Sequence, residues 1–387
     1  MGPLVGILYH WLGGLAAGSF YVPFKKVKNW SWEVYWLVNG AVAWIIIPAL
    51  FALLMTNDLV NVISSQSAST IFWAMGFGML WGIGGLTFGL SVRYLGLSLG
   101  VGLTLGFCAI FGTLVPPIVA EFFPNPYKDT TISGVYATLG GKITLLGILV
   151  CVIGIVVSLL AGLSKENELS AEEKKKSIVE ANFPRGLIVS FVSGILSACF
   201  AFALSASSEI GESSKTAGTD ALWSGLPSLI VILLGGFCTN FLWCMYLSFK
   251  NKSFSEYIGG NDQKTPLVNN YFFSALAGLT WYMQFFFYTM GETQMGEYGF
   301  ASWTLHMASI IIFSNLWGLY FKEWQGTSKK TRTLIFSGIA ILVISTMIVG
   351  LGTWKNKVDE SNIEKVDEVK NIIQLNARHQ NKLKVRL

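Results

Sequence analysis

The chain has 387 residues, of which 52% are hydrophobic and 13% charged, with a mean hydropathy of +0.55 and a formal net charge of +5. About a quarter of the residues in a soluble domain are charged, so this composition excludes the soluble globular class and points to an integral membrane protein. The positive balance lies in loops and tail, where it sets topology, and it implies no nucleic-acid partner.

Ten apolar stretches follow one another, each about 20 residues long, the length an α-helix needs to cross the hydrocarbon core. The first five are residues 3–24, 32–55, 71–92, 95–119 and 143–163. Span 1 has no basic segment before it and its lysines follow it, so it reads as a span and not as a cleaved signal. Span 4 carries Gly96, Gly100, Gly102, Gly106 and Gly112, which includes small-xxx-small pairs that let helices approach closely. Pro116 and Pro117 near its end predict a kink or an unwinding. A charged linker, 164–185, contains Glu172, Glu173 and Lys174 to Lys176. The second five spans are residues 186–207, 222–249, 267–291, 300–320 and 333–354. A polar tail, 355–387, has a weak amphipathic pattern at Val366, Val369, Ile372 and Ile373 and is expected to be helical in part.

An odd number of spans per half turns the second half over relative to the first. The expectation is an all-α integral membrane protein of ten transmembrane helices. It is built as two inverted five-helix repeats, residues 1–163 and 186–354, the plan of secondary transporters. A sparse internal repeat agrees: Gly6, Gly14 and Phe20 recur at a constant offset as Gly186, Gly194 and Phe200, and Trp81 and Phe88 as Trp281 and Tyr288. Sixteen Lys and Arg residues fall in the odd-numbered connections, against Lys128, Lys142 and Lys215 in the even-numbered ones. The odd connections are therefore expected in the cytoplasm and both termini outside, with the tail's basic residues too far from the last span to steer it.

The five cysteines, Cys108, Cys151, Cys199, Cys238 and Cys244, lie inside spans and show no metal-ligand or disulfide spacing; they read as small packing residues. Ionisable groups inside the spans are few: His10 in span 1, His306 in span 9 and Glu33 at the start of span 2. An imidazole titrates at about 6.5 when unperturbed, so His306, His10 and Glu33, in that order, are the candidates for carrying a proton. A hydrogen-bonded histidine between helices is the bland alternative.

Aromatic and polar residues share helix faces. Trp281, Gln284 and Tyr288 lie together on span 8, Trp303 beside His306 on span 9, Trp81 on span 3, and Tyr21 in line with His10 on span 1. Rings that stack on the C–H faces of a sugar, beside an amide and imidazoles that bond its hydroxyls, would make a sugar pocket; ordinary packing is the alternative. No zincin histidine pair and no aspartate pair occurs in a span. The reading is therefore a carrier of a small solute, with lipid as its surroundings. It has no enzyme activity, no metal or cofactor, and no obligatory protein partner.

The run Phe20-Tyr21-Val22-Pro23-Phe24-Lys25-Lys26-Val27-Lys28-Asn29-Trp30-Ser31-Trp32-Glu33 resembles the bacterial L-rhamnose–proton symporter family, within the drug/metabolite transporter superfamily. So do Trp81-Gly82-Ile83-Gly84, Arg93-Tyr94-Leu95-Gly96, Trp281 to Tyr288, Trp303-Thr304-Leu305-His306-Met307 and Lys322-Glu323-Trp324. The resemblance implies a ten-helix carrier of the bacterial inner membrane that imports a deoxyhexose together with a proton, with spans 5 and 10 peripheral. A metabolite or drug exporter of the same superfamily is the alternative, and a membrane-embedded enzyme is the second. Gly85 to Phe88, the connection from Glu292 to Tyr298, and the tail depart from the family pattern.

Overall fold

The computed structural model describes residues 2–95, 97–123, 130–168, 182–259 and 265–384. The linker charges Glu172 to Lys176, Gly96, Lys128 and Lys264 lie outside the described residues. The described residues are helical, without a strand. The long helices are α1 (Gly2–Ser19), α2 (Trp32–Ala41, carried on by Val42–Ile46 and Ile47–Met55), α3 (Ala68–Leu95), α4 (Leu97–Ala120) and α5 (Leu139–Glu168), followed by α6 (Phe183–Ala206), α7 (Leu226–Asn251), α8 (Leu267–Gln294), α9 (Ser302–Tyr320) and α10 (Lys329–Lys384). Eight of them are long and apolar enough to cross a membrane. The two that fall short in apolar character are α8 and α9, which carry the Trp, Gln, Tyr and His residues singled out above, together with Asn and Ser.

Several boundaries differ from the expected ones for local reasons. α1 stops at Ser19, and a separate 3₁₀ turn, Pro23–Lys26, follows, since Pro23 offers no N–H to continue the helix. α7 begins at Leu226 because Pro227 takes the position where a missing N–H costs nothing. α4 stays wound through Pro116 and Pro117. α10 runs on from the last apolar span to Lys384.

The packing pairs the two halves. α1 lies against α8 and α9, and α6 lies against α3 and α4; α2 meets α7 and α8, α7 meets α3, and α5 runs along α10. Small residues allow these approaches, since helices in lipid associate through packing and hydrogen bonds. A Cβ on Gly14 would stand 2.2 Å from the Ser309 Cβ, so α1 and α9 touch backbone to backbone there. Along α4, a Cβ on Gly112 would stand 2.3 Å from the Trp303 indole nitrogen.

The connections sort by parity. At one end, Lys28 bonds Asn270, Tyr94 O accepts from Asn182 N, and Glu168 accepts from Ser328, joining the odd-numbered connections. At the other end, Asn57 bonds Thr219 and Gly218, and Thr138 bonds Tyr298, joining the even-numbered ones. The first turn of α1 is at this second end, where Gly2 lies against Gln294 and Lys357.

Candidate functional site

A cavity of about 730 Å³ opens at the end of the even-numbered connections, between the ends of α4, α6, α7, α8 and α9. The half-exposed Glu212–Lys215 pair, at 2.7 Å, stands among its lining residues. Its walls carry hydroxyls whose protons are spent on backbone carbonyls: Ser224 donates to Ala221 O (2.8 Å), Ser228 to Ser207 O (3.0 Å), Thr289 to Phe286 O (3.0 Å) and Thr293 to Met290 O (2.8 Å). Apolar lining comes from Phe202, Leu204 and Phe300.

Tyr288 and Trp303, each 2% exposed, form its floor. The Trp303 indole is fixed by donating from Nε1 to Cys108 O at 3.0 Å, across from α9 to α4. His10 of α1 and His306 of α9 flank Tyr288. Its ring centroid is 5.3 Å from that of His10 and 5.4 Å from that of His306, and His306 is 6.3 Å from Trp303. Both imidazoles are fully buried, and none of their four nitrogens has a hydrogen-bond partner. Glycines make the space for them: a Cβ on Gly291 would stand 2.8 Å from the His10 ring, and one on Gly13 would stand 3.4 Å from that of His306.

Beneath the floor lies an aromatic stack. Phe200 stacks on Phe285 at 4.1 Å and on Trp303 at 5.7 Å; Trp81 is 5.7 Å from Trp281, and Trp281 is 5.3 Å from Trp44. Gln284 is buried in this layer, with Nε2 donating to Trp281 O one turn below at 3.0 Å. Of the predicted sugar contacts, Tyr288 and Trp303 therefore meet the cavity, while Trp281, Gln284 and Trp81 lie one layer deeper. Tyr21 is elsewhere. It lies at the opposite end, 57% exposed against Phe20 and Phe24, since the eleven residues from His10 carry it about 16 Å along the helix axis.

That opposite end is shut by hydrogen bonds between the segment 26–33 and the region around α7 and α8. Glu256 accepts from Ser31 N (2.5 Å) and Ser31 Oγ (2.7 Å), and its carbonyl accepts from Trp30 Nε1 (2.8 Å). Asn270 exchanges two bonds with the Lys28 backbone, at 3.0 and 2.7 Å. Glu33, 3% exposed, accepts from Asn251 Nδ2 at 3.0 Å and Ser253 Oγ at 2.8 Å. The third proton candidate is thus held in the closure and stands apart from the histidines.

The residue-by-residue reading missed the cavity hydroxyls, Glu256, and the amides Asn39 and Asn240. The amides carried the same signal that flagged Gln284, a carboxamide inside an apolar span. The serines and threonines carried none, because hydroxyls that bond back to their own helix are ordinary in such spans.

A family model described as L-rhamnose-proton symport protein (RhaT) matches residues 2–355. An L-rhamnose-proton symporter of Shigella sonnei (strain Ss046) is 38% identical over 349 residues, covering 90% of this chain and 97% of its own length. One of Shigella flexneri matches equally. One of Yersinia pestis (strain Pestoides F) is 37% identical over 350 residues, covering 90% and 98%.

Proposed function

The chain belongs to the L-rhamnose-proton symport protein family, and on that premise we propose that it imports L-rhamnose or a related deoxyhexose with a proton by alternating access. The observation that carries this is the pairing of an open cavity at one end with a hydrogen-bonded closure at the other. A carrier must close one end while the other admits substrate. It performs no bond chemistry, and the proton is its co-substrate, with no resident cofactor.

The architecture in this reading is ten transmembrane helices in two inverted repeats, 1–163 and 186–354, joined by the linker 164–185 and followed by the tail 355–387. Two observations support it. The packing of α1 on α8 and α9 is mirrored by that of α6 on α3 and α4, and the connections divide by parity between two ends. The low apolar content of α8 and α9 suits spans that line a polar path. The protein resides in the bacterial inner membrane, within the drug/metabolite transporter superfamily. The open end and both termini face the periplasm, as the basic odd connections require.

Sugar enters between Tyr288, Trp303 and the hydroxyls of α7 and α8, with Trp281, Gln284 and Trp81 taking it over as the floor rearranges. His306 and His10 load the proton. Both touch the ring of Tyr288, so a change at either imidazole acts on the surface the sugar meets. Glu33 is the release point at the cytoplasmic end.

Purified protein in vesicles tests the whole reading. With an inward proton gradient it should accumulate L-rhamnose, and a protonophore should collapse the accumulation. No L-rhamnose uptake above that of empty vesicles, or accumulation indifferent to the protonophore, would overturn it.

A further inference from the structure

At the aromatic stack and below it, toward the closed side, the buried polar groups without a partner include both atoms of the Asn39 carboxamide, the Ser274 hydroxyl and the Trp44 indole nitrogen. Asn39 and Ser274 are fully buried and Trp44 is 4% exposed. They come from α2 and α8, which meet closely here, since a Cβ on Gly278 would stand 2.6 Å from the Asn39 carbonyl oxygen. Buried polar groups are nearly always bonded, so unpaired ones on two facing helices call for a reason.

A second observation marks the same place. The stretch Val42–Ile46, which carries Trp44, is wound as a π-helix, with Ile47 N bonded to Val42 O five residues back. Such bulges are rare and frequently sit at functional positions, and this one directly precedes Pro48, which has no N–H to offer the Trp44 carbonyl. This one sets Trp44 edge-on to Trp281 at 5.3 Å and to Trp36 at 6.2 Å, with Trp36 donating to Asn240 Oδ1 at 3.1 Å. Indole faces beside free carboxamide, hydroxyl and N–H groups are the chemistry of a polyhydroxyl ligand. The closure from residues 26–33 to Glu256 and Asn270 lies at the same end, with Asn270 one helical turn before Ser274.

Resting on the sugar-carrier reading above, the geometry points to a second sugar subsite at the closed end, in which Asn39, Ser274 and Trp44 take up sugar hydroxyls once that closure opens. The outward cavity and this subsite are then used in succession, on either side of the aromatic stack. The groups are unpaired now because their partner is the sugar of the other half of the cycle.

The test compares the two faces of the membrane. Counterflow of labelled L-rhamnose is measured in right-side-out and everted vesicles holding the wild-type, Asn39→Leu or Trp44→Phe chain. Loss of one neutral hydrogen bond should raise the half-saturation at the closed-end face by about fivefold for Asn39→Leu, and less for Trp44→Phe, with the open-end value within about twofold of wild type. Leucine at an unpaired, buried site should also leave the melting temperature unchanged or higher. If Asn39→Leu fails to fold, Trp44→Phe, which keeps the ring and removes only the N–H, decides. Unmoved constants at the closed-end face, or equal shifts at both faces, overturn the subsite. A wild-type chain that exchanges no L-rhamnose from either face overturns the function reading, and the subsite with it.

Discussion

His306 and Tyr288 are where sugar and proton would meet. With the imidazole unpaired and its ring 5.4 Å from that of Tyr288, His306→Gln keeps a polar group of similar reach but removes the titrating one. The expected outcome is loss of accumulation against a gradient with exchange of sugar preserved, read in vesicles with and without a proton gradient. A mutant that still concentrates sugar like wild type would make His306 structural. Thr289 lines the cavity and its hydroxyl bonds only its own helix. Thr289→Val should therefore leave folding intact and weaken sugar affinity by about 1 kcal/mol, roughly fivefold in half-saturation. At this scale the histidines and Gln284 were legible because a polar group in an apolar run stands out. Tyr21 was misplaced because helical spacing gives the face and not the depth, and eleven residues from His10 reach the other end of the helix.

The helices themselves were legible in order and approximate length, because length and apolar content alone define a span. Their faces were less so, since a helix buried on one side by protein and on the other by lipid shows little periodicity. The glycines gain their meaning only in the packed structure. Gly14 faces Ser309 so closely that a methyl group has no room, whereas nothing lies within 4 Å of a Cβ on Gly85. Gly14→Ala should destabilise by about 1 to 3 kcal/mol, and Gly85→Ala should not, judged by melting of the purified proteins. Equal melting of the two would mean that α1 and α9 are less tightly apposed. The segment between α1 and α2 makes a different prediction. Glu256→Ala removes two bonds to Ser31 and loosens the closure, shifting the population away from the form with the open cavity. A cysteine at Ser228 in the cavity should then react with an impermeant maleimide at least about threefold more slowly, a shift of the order of one hydrogen bond. An unchanged rate would remove Glu256 from the closure.

For the whole molecule, the alternation of spans predicts which side each connection faces. A reporter fused at Glu168 should be active in its cytoplasmic form, and one fused after Trp354 in its periplasmic form. The opposite pair would invert the proposed orientation. The count of apolar runs on either side of a charged linker carried the two-half expectation. The cavity could not be read that way, since it arises where five helix ends from both halves diverge, and no stretch of sequence contains it. The closed end has a further consequence, in the kinetics of the cycle. A ligand that meets a carrier mostly shut against it binds with an apparent affinity reduced by the fraction that is open. Hydrogen bonds from Ser31, Trp30 and Asn270 hold that fraction low on one side only. The protein then behaves as a rectifier. In the proposed orientation, sugar outside would find sites waiting, sugar inside would wait for them, and the same intrinsic affinity would yield a tighter grip from the outside than from within.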